Sequence, residues 1–271
     1  MAGLQNLHSH TIYCDGSLTL EQMVNAAIKK RCDSFGFSGH SYAPFDEKHC
    51  MSPENTRTYK REIEQLKEKY KGEIELYRGI EQEYHSEQPP GDVDYIIGAV
   101  HYIKKGDALV CIDGGAKWQK QECETNYGCD YYAMSEGYYE TVADVARKTN
   151  ADIIAHFDLV VKYNFGGKLF DETHPRYVSA AIDAMNEILK NCKLFEVNTG
   201  AMYRFDKPEP YPSIFLLKKL RERGGEVILS SDSHDAESIC HKFDEMKQLL
   251  KACGYKYIKQ LTKNGFINTP L

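Results

Sequence analysis

Val227-Ile228-Leu229-Ser230-Ser231-Asp232-Ser233-His234 is an apolar run that ends in a carboxylate and, two residues on, an imidazole. The run reads as a β-strand, and side chains two apart on a strand project from the same face. The chain opens with the same device: the strand expected over Leu4–His10 ends in His8-Ser9-His10, and Asp15 follows. Working inward, Ser34–Ser38 runs into Gly39-His40, Ile74–Ile80 alternates up to Glu81, Tyr95–Val100 stops at His101, and Asp152–His156 ends on its histidine. One candidate ligand after another stands where a strand finishes. In an α/β barrel those C-terminal ends converge on one mouth, which is where ligands and catalytic groups are carried.

Helical patterns separate the strands. They cover Leu20–Arg31 with Thr19 as N-cap, Pro53–Lys71 with Ser52 as cap and Pro53 in the first turn, and Tyr131–Thr149. Further on they cover His174–Asn191, Ser213–Arg223, which stops at Gly224-Gly225, and Ala236–Cys253. Tyr255–Leu261 is expected as a last strand on the rim. His101–Asp130 is polar and irregular and holds the only tryptophan, Trp118. It reads equally as a binding lid and as a surface excursion. About seven alternations, and no linker-like tract, predict one α/β domain over residues 1–271. Its fold class is a distorted, TIM-like (β/α)7 barrel with a metal site at the C-terminal ends of the strands.

The bulk composition excludes little. The 271 residues are 42% hydrophobic and 27% charged, the profile of an ordinary globular chain. A formal charge of −6 counts against a nucleic-acid backbone as partner, although bound cations would offset it locally. No apolar run approaches the roughly 20 residues needed to span a bilayer. The start has no basic region leading into an apolar stretch. The nine cysteines are scattered without framework spacing and read as reduced thiols of a cytoplasmic protein. Oligomeric state is not legible.

His8 and His10, projecting side by side, suit a borderline divalent metal. Each of the other candidates has a plain structural alternative. His40, His101 and His156 could be hydrogen-bonded loop or core-edge histidines, and Glu81 a solvated acid. Asp158, two past His156, could serve the site or orient a ligand from behind. Their joint placement at the ends of different strands is what makes a metal-centred site the better reading. His49, His85, His174 and His241 fall outside the pattern.

His8-Ser9-His10-Thr11, Asp15-Gly16, Gly39-His40, Gly79-Ile80-Glu81, His101, His156-Phe157-Asp158 and Asp232-Ser233-His234 together resemble the motif series of the polymerase and histidinol phosphatase (PHP) superfamily, over nearly the whole chain. More narrowly, Asp158–Tyr163, Glu196–Gly200, Tyr211-Pro212-Ser213 and Gly224–His234 are similar to monofunctional histidinol-phosphatases. The resemblance implies three divalent metal ions. The first would take His8, His10, Glu81 and Asp232; the second Glu81, His101 and His156; the third Asp15, His40 and His234. Asp15, where some members carry histidine, makes the third site harder and tolerant of iron or manganese as well as zinc.

The resemblance also implies a phosphate-contacting arginine near Arg204, whose guanidinium can grip two oxygens at once. Lys162 is a second candidate. Tyr42, Trp118 or Tyr127 could cover the substrate's ring. The expected activity is hydrolysis of the phosphate monoester L-histidinol phosphate, in histidine biosynthesis, by a metal-activated hydroxide. Asp232, His234 and Asp158 are the candidate catalytic groups, the last two or water being open as the proton source. Two alternatives stand beside it: a related phosphoesterase acting on nucleotides or another small phosphate ester, and a metal-binding module without activity.

Overall fold

The computed structural model describes residues 3–271. In chain order the elements begin with β1 (Gln5–Asn6), α1 (Leu20–Lys29), β2 (Ser34–Phe37), α2 (Pro53–Lys69), β3 (Glu75–Glu83) and β4 (Tyr95–Ala99). An antiparallel hairpin of β5 (Tyr102–Lys105) and β6 (Ala108–Cys111) follows, then α3 (Ala116–Tyr127), α4 (Tyr131–Ala143) and α5 (Val145–Thr149). The second half holds β7 (Ile153–Ile154), α6 (Pro175–Ile188), β8 (Leu194–Asn198), α7 (Gly200–Phe205), α8 (Ile214–Glu222), β9 (Glu226–Ser230) and α9 (Phe243–Ala252). It ends in a second hairpin, β10 (Tyr257–Thr262) and β11 (Gly265–Pro270).

Seven strands pair in parallel in the order β1-β2-β3-β4-β7-β8-β9, so each neighbour is the next barrel strand along the chain. This is the expected distorted seven-stranded barrel. β9 and β1 share no ladder. They meet through a parallel bridge between Ser9 and Ser233, with His10 N–H donating to the Ser233 carbonyl (2.7 Å) and Ser233 N–H to the His8 carbonyl (3.1 Å). The barrel therefore closes at its C-terminal end, through the backbone of the two histidine-bearing motifs. At the other end of that seam, the Gln5 side-chain amide pairs with the backbone of Leu261 in β10, donating at 2.9 Å and accepting at 2.8 Å.

Inside the barrel, Tyr95 on β4 spans three strands. Its hydroxyl donates to the carbonyls of Leu7 and Phe37 (3.0 Å to the latter). Gly36 and Gly79 face it from β2 and β3, where a Cβ would run into the phenol. Phe35 and Phe37 point the other way, into the apolar layer under α1 and α2 with Met23, Tyr59 and Ile63.

Several expectations need correction. The supposed irregular stretch 101–130 is built from β5, β6 and α3, and Ile103, Val110, Ile112, Cys123 and Tyr127 anchor it in the main core. The single helix expected over 131–149 breaks at Asp144, which caps α4 and chelates the Arg147 guanidinium at 2.6 and 2.8 Å. The last long helix starts at Phe243 rather than Ala236, because the Asp235 carboxylate accepts from Ser238 N–H and holds a turn there. Thr19, with a complete capping box, and Ser52 cap their helices as expected.

Gly79→Ala should drive a methyl into the Tyr95 ring. The expected cost is about 1–3 kcal/mol of stability, the range for overpacking a filled interior, read from denaturant midpoints. An unchanged midpoint would show that Tyr95 can move aside.

Candidate metal centre

At the mouth, the strand ends deliver their side chains to one point. His8 Nε2 lies 3.2 Å from Glu81 Oε2 and 3.6 Å from Asp232 Oδ1. His10 Nε2 lies 3.5 and 3.2 Å from the same two oxygens. Four donors held about 2.1 Å from a tetrahedral zinc ion are about 3.4 Å apart. The four histidine–carboxylate separations lie near that value. Nor are they hydrogen bonds in disguise: His8 Nε2, His10 Nε2 and Glu81 Oε2 are buried and have no hydrogen-bond partner, His40 Nδ1 at 2.9 Å from Glu81 Oε2 lying outside hydrogen-bond geometry. Buried polar atoms rarely stay unpaired, and three of them converging on one point fit a cation.

The other Glu81 oxygen faces His156 Nε2 at 2.8 Å and His101 Nε2 at 3.4 Å. A third group gathers beside it: Asp15 lies 3.6 Å from His40 Nε2, 3.1 Å from His234 Nε2 and 3.4 Å from His10 Nδ1. The structure thus brings together all nine residues expected as ligands. His10, Asp15, His40 and His234 form one set able to hold an ion; His8, His10 and Asp232 form another, and Glu81 joins two more, with His8 and His156 and with His40 and His101. Two of the candidate ligands leave the strand in the left-handed region, His156 at φ 32° and Asp232 at φ 46°. Backbone held there is strained and is a recurrent feature of functional sites.

The electrostatics call for positive charge. Burial opposes ionisation of Glu81, yet His40, His8 and His101 hold it well below the usual carboxylate range. Burial likewise opposes ionisation of Asp232, and Arg204 and His8 outweigh it. Burial pushes His10 down to about 3, with help from His234 and His40. Burial also works against a proton on His101, but Glu81 and Glu83 raise it to about 9. Protons on imidazoles balance these acids here, and divalent cations would replace those protons on binding.

Two carboxylates behind the ligands were missed in the sequence. Glu196 Oε2 lies 2.8 Å from His8 Nδ1 and is itself held by Ser230 Oγ (2.5 Å), while Asn198 Nδ2 donates to Oε1 (2.8 Å). Glu83 Oε2 lies 3.0 Å from His101 Nδ1 and accepts from His101 N–H. Each fixes an imidazole so that Nε2 faces the centre. The signal was there: Glu83 is two past Glu81 on one strand, and Glu196 interrupts an apolar run.

Above the centre opens a cleft of about 410 Å³, lined by Arg204, Lys162, Asp113, Asp46 and His49 as well as by ligands; His8 and His10 lie beneath its floor. Arg204 Nη2 reaches Asp232 Oδ2 at 2.8 Å, while Oδ1 of the same carboxylate faces His8 and His10. Arg204 rides on α7, a helix absent from the sequence reading. Lys162 Nζ pairs with Asp113 at 3.1 Å.

Four expected residues do not line the cleft. Asp158 is fully buried behind its wall, pushed up to about 6 by burial, and accepts from Ser213 N–H at the start of α8 (2.9 Å). Tyr42 donates to Glu47 (3.3 Å), and Trp118 is half exposed on α3 against Gly114; neither faces the cleft, and nor does the buried Tyr127. The aromatic walls are Tyr102, Tyr163, Phe205 and Tyr211 instead.

Glu196→Gln should keep the fold but free the His8 ring, lowering metal affinity about tenfold or more. Titration against a competing chelator measures this, and unaltered affinity would remove Glu196 from the support of the centre.

A family model for the PHP domain matches residues 6–200. A Deinococcus radiodurans protein described as a probable histidinol-phosphatase is 28% identical over 261 residues, covering 92% of this chain and 94% of its own. The hisK structure from Listeria monocytogenes superposes with a TM-score of 0.78 at 17% identity, over 89% of this chain and 99% of that one. The histidinol phosphate phosphatase of Lactococcus lactis, solved with zinc, L-histidinol and phosphate, superposes with a TM-score of 0.69 at 21% identity, over 98% and 99%. With the family model matching residues 6–200, most of its length, this chain belongs to the PHP domain family.

Proposed function

We propose that this protein is a metal-dependent phosphomonoesterase that hydrolyses L-histidinol phosphate to L-histidinol and phosphate, a step of histidine biosynthesis. The observation that carries the reading is the set of unpaired, converging donors beneath a cleft walled by Arg204 and Lys162. The substrate comes from the Deinococcus and Lactococcus relatives, which match nearly the whole chain. The cleft's size suits a small ester rather than a polymer.

The full complement proposed is three divalent cations, of zinc, iron or manganese: one at His8, His10, Glu81 and Asp232, a second at Glu81, His101 and His156, a third at Asp15, His40 and His234. Bound there, such ions supply Lewis acidity, bringing the pKa of water towards neutrality and drawing charge from phosphoryl oxygens. The chain's own groups do the rest. Arg204 offers a planar fork to the phosphoryl group from its place against Asp232. Lys162, held by Asp113, adds a second positive charge along that wall. Asp232 spans both sets, with one oxygen toward the histidines and one toward Arg204. With Asp158 turned toward Ser213, the departing alcohol takes its proton from water or from the His234 side of the cleft.

No helix among the described residues is long and apolar enough to cross a membrane. The proposed setting is the cytoplasm, where the free thiols would stay reduced.

Steady-state kinetics on histidinol phosphate beside nucleoside monophosphates, with metal analysis of the same sample, tests the assignment. Preference for a nucleotide would overturn the substrate. Asp232→Asn should abolish turnover and lower metal content while the circular dichroism spectrum stays native; full activity with normal metal content would sink the scheme. Arg204→Ala should raise KM for phosphate esters and lower kcat, and an unchanged kcat/KM would remove Arg204 from the site.

A further inference from the structure

The Tyr211-Pro212-Ser213 motif supplies the Ser213 N–H that meets Asp158. Its tyrosine is pinned to the mouth end of β8: Asn198 N–H donates to the Tyr211 carbonyl (2.7 Å), and Tyr211 N–H to the Asn198 carbonyl (3.0 Å). The side chain forms part of the cleft wall with Arg204 and Lys162, yet it is only 3% exposed. Its hydroxyl is buried and has no hydrogen-bond partner. Leaving such a group unpaired is destabilising. Tyr127 and Tyr131 also bury unpaired hydroxyls, but neither faces the cleft. Asp158 Oδ1, the other unpaired buried oxygen on this side, makes no hydrogen bond with Tyr211.

We infer that Tyr211 is a substrate-binding residue whose hydroxyl donates to a non-bridging phosphoryl oxygen beside Arg204. The inference rests on reading the cleft as a phosphate-ester site. A donor in that wall needs an acceptor; Arg204 and Lys162 have none to give, and the acceptors nearby, Asp113 and Tyr163, make no hydrogen bond with it. A substrate ammonium has none either. The phosphoryl oxygens are charged acceptors, and Arg204, reached from the same strand end, already selects for them. Burial, helped by the charge of Asp158, holds the phenol well above its ordinary value, so it stays protonated and can donate at neutral pH. The free enzyme thus keeps one hydrogen bond unmade until a phosphate arrives.

Tyr211→Phe removes the hydroxyl and little else. In the metal-loaded enzyme, kcat/KM for histidinol phosphate should fall about ten- to a hundredfold, the worth of a hydrogen bond to a charged group. The affinity for inorganic phosphate, measured as competitive inhibition and by calorimetry, should fall in parallel. Metal content should not change. Without phosphate, the melting temperature should stay the same or rise, because an unsatisfied buried group has been removed. A lower melting temperature with unchanged phosphate affinity and kcat/KM would mean a structural hydroxyl and overturn the inference. So would a loss of kcat that leaves phosphate affinity intact.

The substrate assignment is separable by assaying p-nitrophenyl phosphate alongside. If the wild type cleaves that ester but not histidinol phosphate, the assignment falls, and a Tyr211→Phe defect on p-nitrophenyl phosphate still supports the contact. A wild type that neither binds phosphate nor cleaves either ester overturns both.

Discussion

One buried carboxylate organises the mouth of this barrel. Glu81 lies within reach of five imidazoles: His156 at 2.8 Å, His40 at 2.9 Å, His8 at 3.2 Å, His101 at 3.4 Å and His10 at 3.5 Å. A carboxylate out of water is stable only if positive charge stands next to it. Protons on so many neighbouring imidazoles repel one another, and burial together with His234 and His40 pushes His10 down to about 3. Divalent cations relieve both problems at once, supplying charge while leaving each ring neutral and able to donate a lone pair. The crowding that would be costly in an ordinary core becomes an arrangement of ligands.

The scaffold serves that crowding. Closure of β1 against β9 runs through the Ser9–Ser233 bridge, so the backbone bonds that shut the barrel also set His8 and His10 beside Asp232 and His234. Tyr95 plugs the interior below and ties the ends of β1 and β2 together. Glu196 and Glu83 fix ring orientations from behind. Arg204 is tied to the same centre, since it holds the second oxygen of the Asp232 carboxylate.

Much of this was legible in the chain, for a physical reason. A parallel strand shows as a short apolar run, its alternation puts His8 and His10 on one side, and barrel topology sends every strand end to the same mouth. Element edges were less legible. β1 and β7 are each a two-residue ladder, because pairing in a strongly curved sheet ends before the apolar pattern does. The insertion of β5, β6 and α3 was hidden, since short strands with lysines on their exposed positions carry little periodic signal.

Spacing along the sequence determined the fold class and set most of the candidate ligands at strand ends, because both follow from local periodicity and chain direction; Asp15 came from the family resemblance. The rest needed three dimensions. Asp158, only two residues from the candidate ligand His156, instead accepts from Ser213 N–H at the start of α8. Tyr42 and Trp118 were left outside the cleft, and Tyr102, Tyr163, Phe205 and Tyr211 took the lining. Those positions depend on how separate loops pack over one mouth, and contacts between segments far apart in the chain leave no mark on local pattern.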